Sequence, residues 1–541
     1  MKRKILYKSD SHIGEIAAEY DDVFLQNCFV SIPVVDQLLD IESSKCILLG
    51  RTGSGKTAIL NHIEEFEHHT VRIEPSNVSF DYIANSNIIQ FLRENGFDFK
   101  VLFLFLWKHI IFSKSVQCFF DNQSSFNFQL DKLTGRNTEA RKYLDSHNKN
   151  FWIEQDEVVR EISQGLEEKI ETHLRAILGD SFAKIEGGAK AEAKIDSSQS
   201  VQIKTRLQKA VNELQFRDLQ RAMSTLNDLM ANKHKKYYIL IDDLDLDWAP
   251  EELKYDLINS LIEAINGFRK VRKIKVLAAI RSDLYERSIR QRNTDGFQPE
   301  KYEGTLLNIK WRENELRHLV DERVGFLFKD KYTKQGIKFK DIFPNEIRNI
   351  NSFKFICERT QYRPRDIIAF VNDILDKAAG TSDIVSRYVV DAEAVYSNKR
   401  LDALYHEWKG LHPCLKVYVE SLRGKTGKIT FGELANRDFV SELCLRTMDH
   451  QEAQKNPDSV VRECNIYSMR ENERRLHQVV RELVAVLYKV GAVMVRLQKG
   501  DKEKTCYKDD ATITPSEVTE TTSIKVTPVF WRALGITPNI G

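Results

Sequence analysis

Gly50-Arg-Thr-Gly-Ser-Gly-Lys56-Thr57 fits the pattern GxxxxGK[ST], with an apolar run before it (Cys46-Ile-Leu-Leu49) and a helix-like stretch after it (Ala58 to Phe66). A strand that bends sharply into a helix needs glycines there. They let backbone amides point inward at a phosphate chain, and the helix N-terminus adds the positive end of its dipole. In that context the motif is a Walker A loop, and it predicts a nucleoside triphosphate held by Gly50, Arg51, Thr52, Gly53, Ser54, Gly55, Lys56 and Thr57. Lys56 is assigned to the terminal phosphates as a point charge, and the Thr57 hydroxyl to Mg2+, a small cation that prefers hard oxygen ligands.

Such chemistry needs a carboxylate nearby, and Tyr237-Tyr-Ile-Leu-Ile241 runs straight into Asp242-Asp243. An unbroken apolar run suits a strand covered on both faces, and open α/β sheets bind ligands at strand ends. Asp242 is read as the Walker B acid that holds Mg2+ through water, and Asp243 as the residue that orients or deprotonates the attacking water. Capping the helix that begins near Pro250 is the competing role for this pair, although Asp245 and Asp247 suit it better. A further strand, Lys275 to Ile280, ends at Arg281-Ser282-Asp283, and Leu253, Leu257, Leu261, Ile262 and Ile265 recur between the two strands at helical spacing. The result is a βαβ unit with an expected right-handed crossover. It brings the end of the Arg281 strand beside Asp242 and makes Arg281 a candidate sensor of the terminal phosphate, with an ordinary salt bridge as the alternative.

Gly304 to Trp311 reads as another core strand, followed by a helix from Glu313 with Leu316, Leu319 and Val320 on one face. Arg363-Pro364-Arg365-Asp366 then opens an amphipathic helix carrying Ile367, Ile368, Phe370, Val371 and Ile374. Proline suits a first helical turn, and Arg365 from there can reach back to the nucleotide; a plain surface charge is the competing account. Trp248 is a candidate for stacking on a base, against the commoner role of packing on the lid.

The stretch between the two motifs is much longer than a minimal domain of this kind requires. Val159, Ile162, Leu166, Ile170, Leu174 and Ile177 are spaced by threes and fours, as are Leu207, Val211 and Leu214 and, beyond Arg217, Leu226 and Leu229, which predicts two long amphipathic helices. Gly187 to Ser200, small and polar, is expected as a mobile tip. The segment reads as an antiparallel arm for self-association or for docking a partner effector protein, or else as an arm folded onto its own core. From about residue 401, helices near Cys414 to Leu422, Phe431 to Cys444 and Glu473 to Lys489 precede strand-like runs at Val493 to Leu497 and Ile524 to Val526, the order of a winged helix. Arg474, Arg475, Arg481 and Lys489 are candidate DNA contacts, diluted by Glu471, Glu473 and Glu482, with protein docking or interdomain packing as the alternative.

Composition fits a large soluble protein of several domains. Across 541 residues, Lys plus Arg (81) nearly balances Asp plus Glu (79), so any nucleic-acid contact must be local. The eight cysteines lie far apart without a CxxC pair, which argues against zinc and for free thiols in a reducing cytosol. Met1-Lys-Arg-Lys-Ile-Leu-Tyr leads into charged residues rather than a signal peptide. The most apolar stretch, Val101 to Phe112, is interrupted by Lys108 and His109 and reads as a buried helix, so no membrane is expected and the cytoplasm is the expected location. No guanine-specificity motif is present, which favours ATP.

The glycine loop, the DDLD after a strand, the AAIRSD strand end, the IKWRENEL element, the RPRDI helix and the GEIAAEYDD segment (Gly14 to Asp22) together resemble the additional-strand (ASCE) division of P-loop ATPases. They look most like the Sll-type bacterial P-loop ATPases, relatives of the STAND, KAP and AAA+ ATPases. The resemblance is piecewise and spans most of the chain. It implies ATP hydrolysis coupled to a switch or assembly, often in mobile-element or antiphage-defence settings, with Asp243 in the catalytic place where AAA+ proteins carry Glu. A shorter carboxylate suits slow turnover. Arg287, Arg290 and Arg292 fall where ring-forming relatives carry a trans-acting finger.

The expected architecture is therefore α/β: a P-loop parallel sheet flanked by helices. An N-terminal segment (1–45) packs on a core formed by 46–150 and 236–312, with a helical insertion (151–235), an all-α lid (313–400) and a winged-helix-like domain (401–541). A loader or translocase that uses this last domain on DNA, and an ATP-binding scaffold without turnover, are the competing functions.

Overall fold

Strand β1 (Ile47–Gly50) lies at the heart of a five-stranded parallel sheet, hydrogen-bonded to β4 (Ile274–Arg281) on one side and β5 (Leu306–Asn308) on the other. Beyond β4 come β3 (Tyr237–Ile241) and then β2 (Thr70–Ile73), giving the order β2-β3-β4-β1-β5. Register places Gly50 beside Arg281, Ile241 beside Ala278, and Ile73 beside Ile241. Every residue of β1 and β3 is buried, as is β4 up to Ile280, which is why these strands read as unbroken apolar runs.

The computed structural model describes residues 6–537 apart from 79, 81–85, 121–123, 128–142, 148–149, 153–154, 179–196, 213–215, 231–233, 291–297, 332–335 and 508–512. The chain divides into two units. One comprises Ser31–Arg51 and Lys56–Ile309, and the other Met1–Val30, Thr52–Gly55 and Lys310–Gly541.

In the sheet-containing unit the helix Lys56–Phe66 follows the glycine loop directly. The helix Lys100–Phe119 packs on Glu251–Phe268, and the indole N–H of its buried Trp107 donates to the Leu257 carbonyl at 2.9 Å. The buried helix expected over Val101 to Phe112 contains Lys108 and His109 and runs on to Phe119. Its length and composition would let it cross a membrane, but 72% of its most apolar window is buried inside the fold. In the insertion, Gln155–Leu178 packs on Asn87–Glu94 and on Ser197–Asn212, and Phe216–Met230 packs on Lys100–Phe119. Val159, Leu166, Ile170, Leu174, Leu219, Leu226 and Met230 are buried. Ser197 to Ser200, expected at a mobile tip, begin a helix. The rest of that tip, Leu214, and the side chains of Leu207, Val211 and Leu229 lie outside the described residues.

In the other unit the buried pair Arg323–Asp21 (2.6 Å) joins helices Glu313–Lys331 and Asp22–Cys28 at the latter's N-terminus. Gly14, at φ +118°, passes so close that a Cβ would sit 2.1 Å from Arg323 Nη1, which accounts for glycine in that segment. Helices Ser352–Arg359, Pro364–Ala378 and Ser386–Trp408 continue one apolar core, with a two-stranded ribbon of β6 (Glu346–Ile347) and β7 (Ile350–Asn351) before them. Beyond residue 410, a helical region carries an antiparallel sheet in which β10 (Ser523–Val526) pairs with β8 (Lys428–Thr430) on one side and β9 (Val493–Arg496) on the other. The helix Glu473–Val490 buries Leu476, Val479, Val480, Leu483, Val484, Val486, Leu487, Tyr488 and Val490, so it is the core helix of this region.

Ile239 is fully buried at the centre of β3. Ile239→Ala is expected to destabilise the protein by about 2–5 kcal/mol. Urea unfolding followed by circular dichroism measures this, and an unchanged midpoint would contradict a core position for this strand.

Candidate functional site

The carboxylate of Asp242, at the end of β3, is only 4% exposed. The Thr57 hydroxyl and the backbone N–H of Asp243 both favour its ionised form. Arg72, from β2, approaches it through Nη1 at 3.5 Å. The same guanidinium donates to Glu64 through Nε at 2.8 Å and to Asn61 through Nη2 at 2.7 Å, both on the helix that follows the glycine loop. Burial first, and then the neighbouring Asp243, push the Asp242 carboxyl up to about 6, against the pull of the Asp243 amide, Arg72 and Thr57. Asp243 is half-buried, and its backbone is left-handed at φ +58°, a conformation Asp tolerates better than most residues and one found at functional turns.

Lys56 donates from Nζ to the carbonyls of Gly50 (3.1 Å) and Arg51 (3.4 Å). Burial lowers the pKa of its ammonium, while Asp245 and Asp242 act to raise it. Arg281 is gripped by Asp283 through Nε (3.0 Å) and Nη2 (2.9 Å), and by Asp245 through Nη1 (3.2 Å). The ion pairing set against a sensing role is thus present. The helix Glu251–Phe268 has Pro250 as its N-cap, without a side-chain cap, so the Asp pair is not occupied in capping it. Trp248 is buried against Phe80 and Trp107 and donates to the Leu244 carbonyl, a packing role inside the sheet unit. Arg287 contacts Tyr255 and Glu251 of its own chain, whereas the Arg290 side chain and Arg292 lie outside the described residues.

Residues 52–55 of the loop are grouped with the second unit and are held there by three donors. Arg363 Nη1 donates to the Thr52 carbonyl (3.3 Å), the Arg365 backbone N–H to the Gly53 carbonyl (3.3 Å), and the Trp311 indole to the Ser54 carbonyl (2.9 Å). Arg365 therefore meets the loop through its backbone, while its Nε donates to the Ile16 carbonyl at 3.2 Å. Gly53 and Gly55 are left-handed at φ +77° and +94°, and a Cβ on Gly53 would lie 2.9 Å from that of Arg365. The hydroxyls of Thr52 and Ser54 are buried without a hydrogen-bond partner among the described residues. Buried hydroxyls rarely stay unsatisfied, and beside two left-handed glycines they fit a loop built to receive phosphate oxygens. No described cluster of three or more His, Cys, Asp or Glu residues holds a metal by itself. A Mg2+ on Thr57 and Asp242 would take its other ligands from a nucleotide and water.

Sequence reasoning missed Arg72, Trp311 and Arg363. Arg72 sits on a short strand whose alternating polar residues masked it, and Trp311 read only as the end of a strand. Arg363 stands two residues before the arginine that was chosen.

The helical region that supplies the arginines has a recognised match. Residues 314–405 match the FunZ-associated C-terminal helical domain. The chain is also similar to the putative transposon gamma-delta 80.3 kDa protein of Escherichia coli (strain K12), 22% identical over 443 residues that make up 80% of this chain and 56% of that protein. It thus spans little more than half the length of that relative. A shorter similarity, 24% identical over 130 residues, covers 24% of this chain and 68% of allergen Alt a 2 of Alternaria alternata.

Because the folded-state pKa of Asp242 is raised to about 6 from 3.8, the native state holds a proton that the unfolded chain has lost between those values. Stability from this group is therefore complete below about pH 4 and lost as pH rises through about 6. Asp242→Asn is expected to stabilise the nucleotide-free protein by up to about 3 kcal/mol at pH 8 and by nearly nothing at pH 4. Thermal melts at the two pH values check this, and an equal effect at both would refute the buried, proton-favouring setting.

Proposed function

We propose that the chain is a Mg2+-dependent ATPase of the P-loop class, acting as a nucleotide-controlled switch or assembly module in the cytoplasm. The observation that carries this reading is the glycine loop between β1 and the helix from Lys56, with Asp242 at the end of β3, one strand beyond β4, and its ionised form favoured by Thr57. A strand order with β4 between β1 and β3 supports the additional-strand version of the fold.

In this reading the backbone amides from Gly53 to Thr57 and the ammonium of Lys56 bind the phosphates, with Thr57 and Asp242 holding Mg2+. Bound Mg2+ supplies charge neutralisation on the terminal phosphates. Asp242 stays ionised at neutral pH because its pKa, though raised, remains near 6. Asp243 accepts a proton from water or orients it, and its short side chain suits the slow turnover of a switch. Arg281 is the candidate sensor, its paired carboxylates Asp245 and Asp283 giving it a partner to exchange. Antiphage defence together with a separate effector, docked on the 151–235 segment, is the biological role suggested by the family resemblance.

A second reading, a DNA-binding ATPase, is favoured by one architectural feature. The strand order β8-β10-β9 behind a set of helices supports a winged helix, and the E. coli relative is named as a transposon protein. Of its candidate cations, Arg474 and Arg475 are exposed, whereas Arg481 and Lys489 are partly covered and Arg475 pairs with Glu463 at 3.5 Å. The switch reading is preferred on that balance. DNA that accelerates hydrolysis with a steep salt dependence would reverse the preference.

Lys56→Ala is expected to abolish ATP binding, while Asp243→Asn keeps ATP but lowers hydrolysis by about a hundredfold or more. Equilibrium binding and phosphate release measured side by side test the assignment. Wild-type turnover indistinguishable from Asp243→Asn would instead favour an ATP-binding scaffold.

A further inference from the structure

Three consecutive carbonyls of the glycine loop, those of Thr52, Gly53 and Ser54, each accept one hydrogen bond, from Arg363, Arg365 and Trp311 respectively. A trans peptide is planar, with its C=O and the following N–H pointing in opposite directions, and no cis peptide is present among the described residues. Fixing those three carbonyls therefore fixes the N–H groups of Gly53, Ser54 and Gly55 on the opposite side of the loop. We infer that Trp311, Arg363 and the backbone of Arg365 are positioning residues that pre-orient the loop amides for phosphate. This rests on the nucleotide-binding reading above and deepens it, because it moves the role of the Arg-Pro-Arg motif from touching the ligand to shaping the loop that does.

Each donor is itself held in place. The N–H of Arg365 belongs to the first turn of the helix Pro364–Ala378, where backbone donors have no partner within the helix, so the Gly53 carbonyl satisfies a group the helix leaves over. Arg363 is 3% exposed, and its guanidinium lies 3.5 Å from Glu407 and 3.9 Å from Asp366. The turn before it carries two adjacent non-glycine residues in left-handed conformation, Gln361 (φ +48°) and Tyr362 (φ +57°). A buried tyrosine rarely adopts that backbone, and such strain persists only where the surroundings impose it. The Gln361 side chain donates to the Gly491 carbonyl at 2.9 Å, anchoring the turn at its far side. Trp311 packs against the apolar core of the same unit.

The test uses the full chain titrated with a fluorescent ADP analogue. At position 311 tryptophan is replaced by the isosteric 3-benzothienylalanine, in which sulfur takes the place of the N–H, and separately by Trp311→Phe. Loss of one pre-orienting hydrogen bond is expected to raise Kd about three- to tenfold in both 311 variants, with the ligand-free melting temperature nearly unchanged. Because the isostere preserves shape, a Trp311→Phe protein that fails to fold leaves the measurement intact. Unchanged affinity in the isostere would overturn the inference. A wild-type chain that takes up no ADP would overturn the nucleotide-binding reading itself, and is distinguishable because it needs no variant.

Discussion

The contact between Thr57 and Asp242 depends on strand order. β1 and β3 are separated by β4, a gap of two strand spacings or roughly 9.6 Å. The helix that begins at Lys56 bridges that gap from the end of β1, and the last residue of β3 is level with Ala278, three residues short of the Arg281 that flanks Gly50. A different neighbour for β1 would leave a hydroxyl and a carboxylate with nothing to join. The rest of the site follows from this placement.

Its electrostatics are those of a buried carboxylate kept from neutralising. Desolvation works against the ionised form of Asp242, and Asp243 adds repulsion, while the Asp243 amide, Arg72 and Thr57 act the other way. Arg72 is shared with Asn61 and Glu64, so it ties the sheet to the loop helix as well as answering a charge. Lys56 and Arg281 stand in the same field, each facing carboxylates of the Asp242–Asp247 segment or Asp283. Such a balance of buried charge does little for stability on its own. It makes sense where a further charged group is to be received.

Much of this was legible in the sequence because the decisive elements are locally self-consistent. Tyr237 to Ile241 is apolar on both faces and is a strand with those bounds; Glu251 to Phe268 and Pro364 to Ala378 follow helical periodicity. The misses have physical reasons. Strand β2 carries Thr70 and Arg72 and lacks an apolar run, and Ser459–Met469 has a mixed surface that hides its helical period. Lys108 lies inside a buried helix, as expected, because Gly267 leaves room for its stem. The sequence points to Arg365 as the residue reaching the nucleotide, yet it meets the loop through its backbone while the nearby Arg363 contributes a side chain, a distinction that depends on the left-handed turn at Gln361 and Tyr362. Short-range pattern says that a helix starts there and cannot say which way the chain enters it.

The account stands most directly on whether Thr57 and Asp242 act together on a nucleotide-bound cation. Calorimetry of ATP binding with and without Mg2+, in wild type and in Thr57→Ala, measures that. One ATP per chain is expected, with wild-type affinity rising on addition of Mg2+ and Thr57→Ala keeping the Mg2+-free affinity while losing most of the rise. Binding with the same Mg2+ dependence in both proteins, or no heat in the wild type, would contradict it.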